Sequence, residues 1–256
     1  MRGAGGASGS DRRKAGQDAG LADRKGLPSA SAAAPDRSRS DRESGQASRS
    51  RGLLAELHST SRPGQADRAA RAFEEAVGLL ERGRAVPAVT AAEEAKRAAP
   101  RSGSVREVLG MALYQAERYR EALGELQAYR RITGRVDQSH LIGDCHRALG
   151  QPGKAVDAAR EALRPGLPEE VRAEATVVGA AALADMERFP EAVAMIRSFR
   201  TRKQGARPFD LRVWYATGDI LARAGRRTEA AEEFRKIMRH EPDAFDAAER
   251  LAELES

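Results

Sequence analysis

Four residues close together in the chain, His140, Asp144, Cys145 and His146, are of the types that ligate transition metals. On a helix His140 and Asp144 share a face at i and i+4, while Cys145 and His146 turn away from it by about 100° and 200°. Such donors do not converge on one tetrahedral ion, so Cys145 reads as a small buried packing group and His146 as a core or interface residue. Gly150–Gln151–Pro152–Gly153–Lys154–Ala155 has the glycines and lysine of a phosphate-binding loop. That loop needs four residues between its glycines, Ser or Thr after the lysine, and a preceding strand; here two residues intervene, Ala155 follows, and a helix precedes. The adjacent carboxylates Glu74–Glu75, Glu93–Glu94, Glu169–Glu170 and Glu232–Glu233 lie beside Arg or Lys and read as solvated helix faces, not acid/base pairs. No Ser–His–Asp or Cys–His arrangement has local support, and the sequence holds only four histidines. No catalytic residue, metal, cofactor or small-molecule substrate is expected, and the chain reads as a non-enzyme.

Positive charge is the other chemistry on offer. Arg197, Arg200, Arg202, Lys203 and Arg207 put five cations within 11 residues, a patch suited to an acidic partner or to phosphates. Residues 1–65 carry 12 Lys/Arg against 7 Asp/Glu and contain no Val, Ile, Phe, Tyr or Trp. So little apolar surface cannot offset the entropy of ordering a backbone, and residues 1–62 read as a disordered basic tail rich in Gly, Ser, Arg and Asp. A short helix at Leu53–Leu54–Leu57 would be marginal alone. Without aromatics to stack on bases, nucleic-acid contact by this tail would be sequence-blind and salt-sensitive. No apolar run approaches the roughly 18–20 residues of a membrane span, no secretory signal is visible, and one cysteine fits a reducing compartment. A cytoplasmic location is expected.

The elements that position these residues are read from a repeat. A small residue that opens a second helix recurs at Ala88, Ala122, Ala155, Ala192 and Ala230, about every 34 residues. A period of that size with two helices per unit marks a helical solenoid. Five units follow, at about 69–102, 103–135, 136–170, 173–207 and 211–243, with a capping helix over 243–254, all within a domain spanning 66–256. Gly110 with Ala122, Gly143 with Ala155, and Gly218 with Ala230 lie 12 residues apart on the facing helices of one hairpin, where small side chains let backbones close. Each hairpin has apolar surface on two sides and must stack on neighbours.

The stretch Trp214…Thr217–Gly218…Leu221…Ala230…Phe234…Pro242 resembles the tetratricopeptide repeat, and Leu109–Gly110…Leu113…Tyr119…Ala122…Leu126 looks like the same motif. In the fourth unit Ala180 stands where glycine is expected, and the family's Tyr is replaced by Leu or His. The resemblance implies an all-α fold, a right-handed α-α superhelix, with a protein or peptide partner held on the concave face lined by the first helix of each unit. By register that face holds Phe73, Val77, Glu107, Met111, Tyr114, His140, Asp144, Arg147, Val177, Ala181, Arg212, Tyr215, Asp219 and Arg223. It is apolar toward the first units and charged toward the later ones. Family members that bind chaperone C-terminal tails carry a Lys and Asn clamp here; Phe73/Val77 and His140/Asp144 do not match it. The function implied is a protein-interaction scaffold. The alternative is a nucleic-acid-associated adaptor using the tail and the basic run over 197–207.

Overall fold

The computed structural model describes residues 51–202 and 204–256, so residues 1–50, the bulk of the expected tail, lie outside the described residues. The described chain is all helix: α1 over 51–60, α2 (Ala66–Glu81), α3 (Ala85–Ala98), α4 (Gly103–Gln115), α5 (Tyr119–Thr133), α6 (Ser139–Ala148), α7 (Pro152–Ala162), α8 (Glu169–Asp185), α9 (Phe189–Ser198), α10 (Pro208–Arg223), α11 (Arg227–His240) and α12 (Ala247–Glu255). No strand occurs among the described residues. Helices α2 to α11 pair in sequence as five hairpins, and each hairpin packs on the next. No described helix is long and apolar enough to cross a membrane.

Small residues set the spacing within hairpins. Ala88, Ala122, Ala155, Ala192 and Ala230 are completely buried. A Cβ added at Gly143 would meet the Ala155 carbonyl oxygen at 3.2 Å and Val178 at 3.0 Å. At Gly110 and Gly218 the space is taken by a large side chain one turn past the alanine: an added Cβ would sit 2.7 Å from Leu126 and 2.9 Å from Phe234. The turn inside each hairpin is equally regular. Five residues before each alanine the chain turns left-handed, at Gly83, Glu117, Gly150, Glu187 and Gly225, with φ of 68°, 59°, 70°, 58° and 76°.

The two ends depart from expectation. Residues 51–60, assigned to the tail, are helical because α1 docks: Leu57 is 1% exposed among Ala69, Ala72, Ala95, Ala98, Ala99 and Val105. Glu56 accepts hydrogen bonds from Ser102 Oγ (2.6 Å), Ser104 Oγ (2.6 Å) and Ser104 N (3.0 Å), placing a carboxylate at the N-terminus of α4. Burial opposes ionisation of Glu56, but these bonds outweigh it and hold its carboxyl below the ordinary value. At the other end the capping helix begins at Ala247, not 243, because Phe245 takes a positive φ of 58° and breaks the helix. The contact is therefore made by Ala247, with Leu251 and Leu254 half-buried, while Ala248 faces solvent.

Candidate functional site

The first helices of successive units place repeat-equivalent residues side by side. One row runs Phe73, Glu107, His140, Val177, Tyr215; the next turn gives Val77, Met111, Asp144, Ala181, Asp219. From α8 onward this face is closed. Helix α8 packs directly on α6 and α10, which leaves Val177, Ala181 and Tyr215 buried at 3%, 8% and 4% exposure. Tyr215 lies beneath the C-terminal cap, edge-on to Phe245 (5.2 Å) and Phe234 (5.6 Å); burial, with Asp246 beside it, raises its phenol. Counted with the open face in the sequence, Val177, Ala181 and Tyr215 are contacts between units instead.

The charged residues of the face bind one another. Tyr114 donates its hydroxyl hydrogen to Asp144 Oδ2 (2.5 Å), and Asp144 Oδ1 accepts from Arg147 (2.9 Å). Arg147 Nε then donates to Asp185 Oδ2 (2.8 Å), whose other oxygen accepts from Arg223 (3.2 Å). Arg223 lies 3.9 Å from Asp219, which accepts from Arg250 (2.9 Å) of α12. A ladder thus runs from α4 to α12. A second rung joins Arg212 to the buried Glu174 (2.6 Å), whose carboxyl is raised by burial against the pull of that arginine. His140 Nδ1 pairs with the Asp137 carbonyl oxygen (3.0 Å), so Nδ1 carries the hydrogen. Burial, with Arg212 nearby, pushes its imidazole down to about 4.

The sequence reading missed Asp185, Glu174 and Arg250. A signal for the first two was present. Glu169 and Arg207, Glu174 and Arg212, and Asp185 and Arg223 are each 38 residues apart, the interval from Ala192 to Ala230, and opposite charges at repeat-equivalent positions meet across neighbouring units.

What stays open lies on α2, α4 and α6. Phe73, Val77 and Met111 are all half-buried; Phe73 and Val77 pack against the core below, whereas Met111 stands apart from the packed apolar clusters. Helices α4 and α6 touch sparsely, bridged by Tyr114–Asp144 and by Gln138 Nε2 donating to Glu107 Oε1 (2.7 Å). Burial raises the Glu107 carboxyl, Asp137 adds to this, and Gln138 and Arg135 offset only part of it.

The other candidates are structural. Cys145 is fully buried with its thiol pushed up to about 12, and buried His146 pairs through Nδ1 with Gln151 Oε1 (3.1 Å). Among the described residues no three metal-ligating side chains converge. In the basic run Arg197 pairs with Glu229 (2.9 Å), and Arg207 grips Asp210 (2.7 Å) and Glu169 while stacking on Phe209 (4.1 Å), thereby fixing the start of α10. Arg200 and Arg202 are exposed, and Lys203 lies outside the described residues. The patch expected from five clustered cations loses two of them to local ion pairs. A cleft of about 430 Å³ is lined by Arg62, Pro63, Gln65, Arg68, Arg97 and Ala98, with no carboxylate or imidazole to act as acid or base.

Helical hairpins at a 33–38-residue spacing, with alanine and glycine at their crossings, meet a direct match over residues 179–240 to the tetratricopeptide repeat family. Over residues 179–240 the chain carries the tetratricopeptide repeat. Its fold is shared with the tetratricopeptide-repeat protein TTC0263 of Thermus thermophilus, at 17% identity and a TM-score of 0.58 over 73% of this chain and 98% of that one. Pseudomonas aeruginosa pilF matches at 15% identity and 0.55, covering 69% and 78%. The C-terminal part of a repeat-containing protein from Cytophaga hutchinsonii matches at 14% and 0.53, covering 71% and 69%. At these identities the likeness is one of fold. No curated protein matches the chain.

Proposed function

We propose that this repeat protein is a non-enzymatic scaffold that holds a segment of a partner protein, and that the contact lies on the inner face of α2, α4 and α6. One observation carries the reading. At repeat-equivalent positions the later units present side chains that already satisfy each other, while the first two present Phe73, Val77 and Met111 half-open beside a carboxylate, Glu107, with no cation at ion-pair distance among the described residues. Apolar side chains framed by polar ones are what a binding groove for an extended or helical segment offers. The contact expected along the whole inner face thus contracts to its N-terminal half, because the remainder is spent on holding units together. Nothing observed favours the nucleic-acid adaptor.

The test is affinity capture by the intact chain, compared with a Val77→Glu, Met111→Glu double variant and with Arg223→Ala as a control on the closed half. Loss of captured proteins in the double variant alone supports the reading. Equal capture by all three overturns it.

A further inference from the structure

Each of Asp144, Glu174, Asp185 and Asp219 on the inner face has an arginine at ion-pair distance. Glu107 has Gln138 as its hydrogen-bond donor, with no cation at ion-pair distance among the described residues. A half-buried carboxylate with no cation in direct contact, and only the more distant Arg135 to offset it, is where an incoming cation gains most, since part of the desolvation is already incurred by folding. Met111 lies one turn further along α4 on the same face, so the complementary ligand is a cation flanked by aliphatic groups.

Residues 1–50 contain one such run. They hold 10 Lys/Arg against 6 Asp/Glu, and their only leucines, Leu21 and Leu27, bracket the adjacent cations Arg24 and Lys25. Asp23 in the same run leaves it a net single positive charge. The connection to the groove is short. Glu56 pins α1 to Ser104, and Glu107 stands three residues beyond Ser104, about 5 Å along the axis of α4. The 24 residues from Leu27 to residue 51 can span at most about 80 Å, so chain length does not keep that stretch from Glu107. A contact within one chain is favoured over the same contact between separate molecules, because the covalent link raises its effective concentration.

We propose that Leu21–Leu27 is the groove's resident occupant, with Arg24 or Lys25 paired to Glu107 and a leucine against Met111, so that a partner must displace the chain's own segment. The inference rests on the α2–α4–α6 face being the binding surface.

The experiment uses the full chain with Ser29→Cys carrying a maleimide nitroxide. Cys145 is buried with its thiol pushed up to about 12 and stays unlabelled at neutral pH. The readout is the Met111 methyl resonance, assigned with Met111→Leu. Expected is at least a twofold loss of its intensity, reversed when the nitroxide is reduced, and restored in an Arg24→Glu, Lys25→Glu variant and in Glu107→Gln. A sharp Met111 signal, or broadening that both charge variants leave unchanged, overturns the proposal. A sharp signal combined with partner capture that still fails in the Val77→Glu, Met111→Glu variant would place another protein's segment in the groove and leave the scaffold reading standing. Broadening combined with capture indifferent to that variant would keep the intramolecular contact and remove the scaffold reading.

Discussion

The hairpin turns give a single-residue experiment. Three of the five left-handed positions hold glycine, but Glu117 and Glu187 occupy the same conformation with a Cβ. That conformation costs a side-chain-bearing residue about 1–2 kcal/mol, partly offset because glycine loses more entropy on folding. Glu117→Gly and Glu187→Gly should each raise stability by roughly 0.5–1 kcal/mol, read as a higher midpoint in denaturant unfolding. His140 supplies a pH experiment. Its folded value of about 4 lies below the ordinary 6.5, so the unfolded chain takes up the proton first. Its contribution is complete above pH 6.5 and is lost as the pH falls from 6.5 toward 4. Asp137 and Asp144 favour the charged ring and Arg212 opposes it, with burial dominant. The melting temperature of wild type should fall across that window more steeply than that of His140→Gln; parallel curves would exclude the ring as the source.

Single elements were legible where neighbours in sequence determine them. Ala122 and Ala230, read as crossing points, are fully buried, and Gly143 does approach the Ala155 carbonyl. The end helices were not. Three leucines in ten residues do not stabilise a helix by themselves, and α1 depends on Ser102 and Ser104, 46 and 48 residues away. Tyr215 was misplaced for a similar reason: its cover is Phe245, reached only through a turn whose positive φ the sequence does not announce. If docking is what orders α1, then Leu57→Ala, at a site 1% exposed, should release it. The expected cost is about 2–4 kcal/mol within the first unit, with amide exchange in α1 approaching unfolded rates while α10 is unchanged. Uniform acceleration throughout the chain would mean instead that α1 belongs to the global cooperative unit.

At the scale of the molecule, the stack is held unevenly. Residues Ala173 to Ala184 of α8 are buried without interruption, and α8 touches α6, α7, α9 and α10. Helices α1 and α12 instead contribute few buried side chains, Leu57 and Ala247 foremost. In a repeat array each unit gains stability from its neighbours, so opening proceeds from the ends and the centre opens last. Amide exchange in α8 should be slowest, with rates increasing toward α1 and α12. The ladder adds a specific coupling, because Asp185 at the end of α8 joins Arg147 of α6 to Arg223 of α10. Asp185→Asn leaves two neighbouring guanidiniums without their shared carboxylate and should cost about 1 kcal/mol, given that all three groups remain partly solvated. A double-mutant cycle between Arg147→Ala and Arg223→Ala measures the link. The two arginines bind opposite oxygens of one carboxylate, so removing either should reduce the effect of removing the other. Strict additivity would show that packing alone joins α6, α8 and α10.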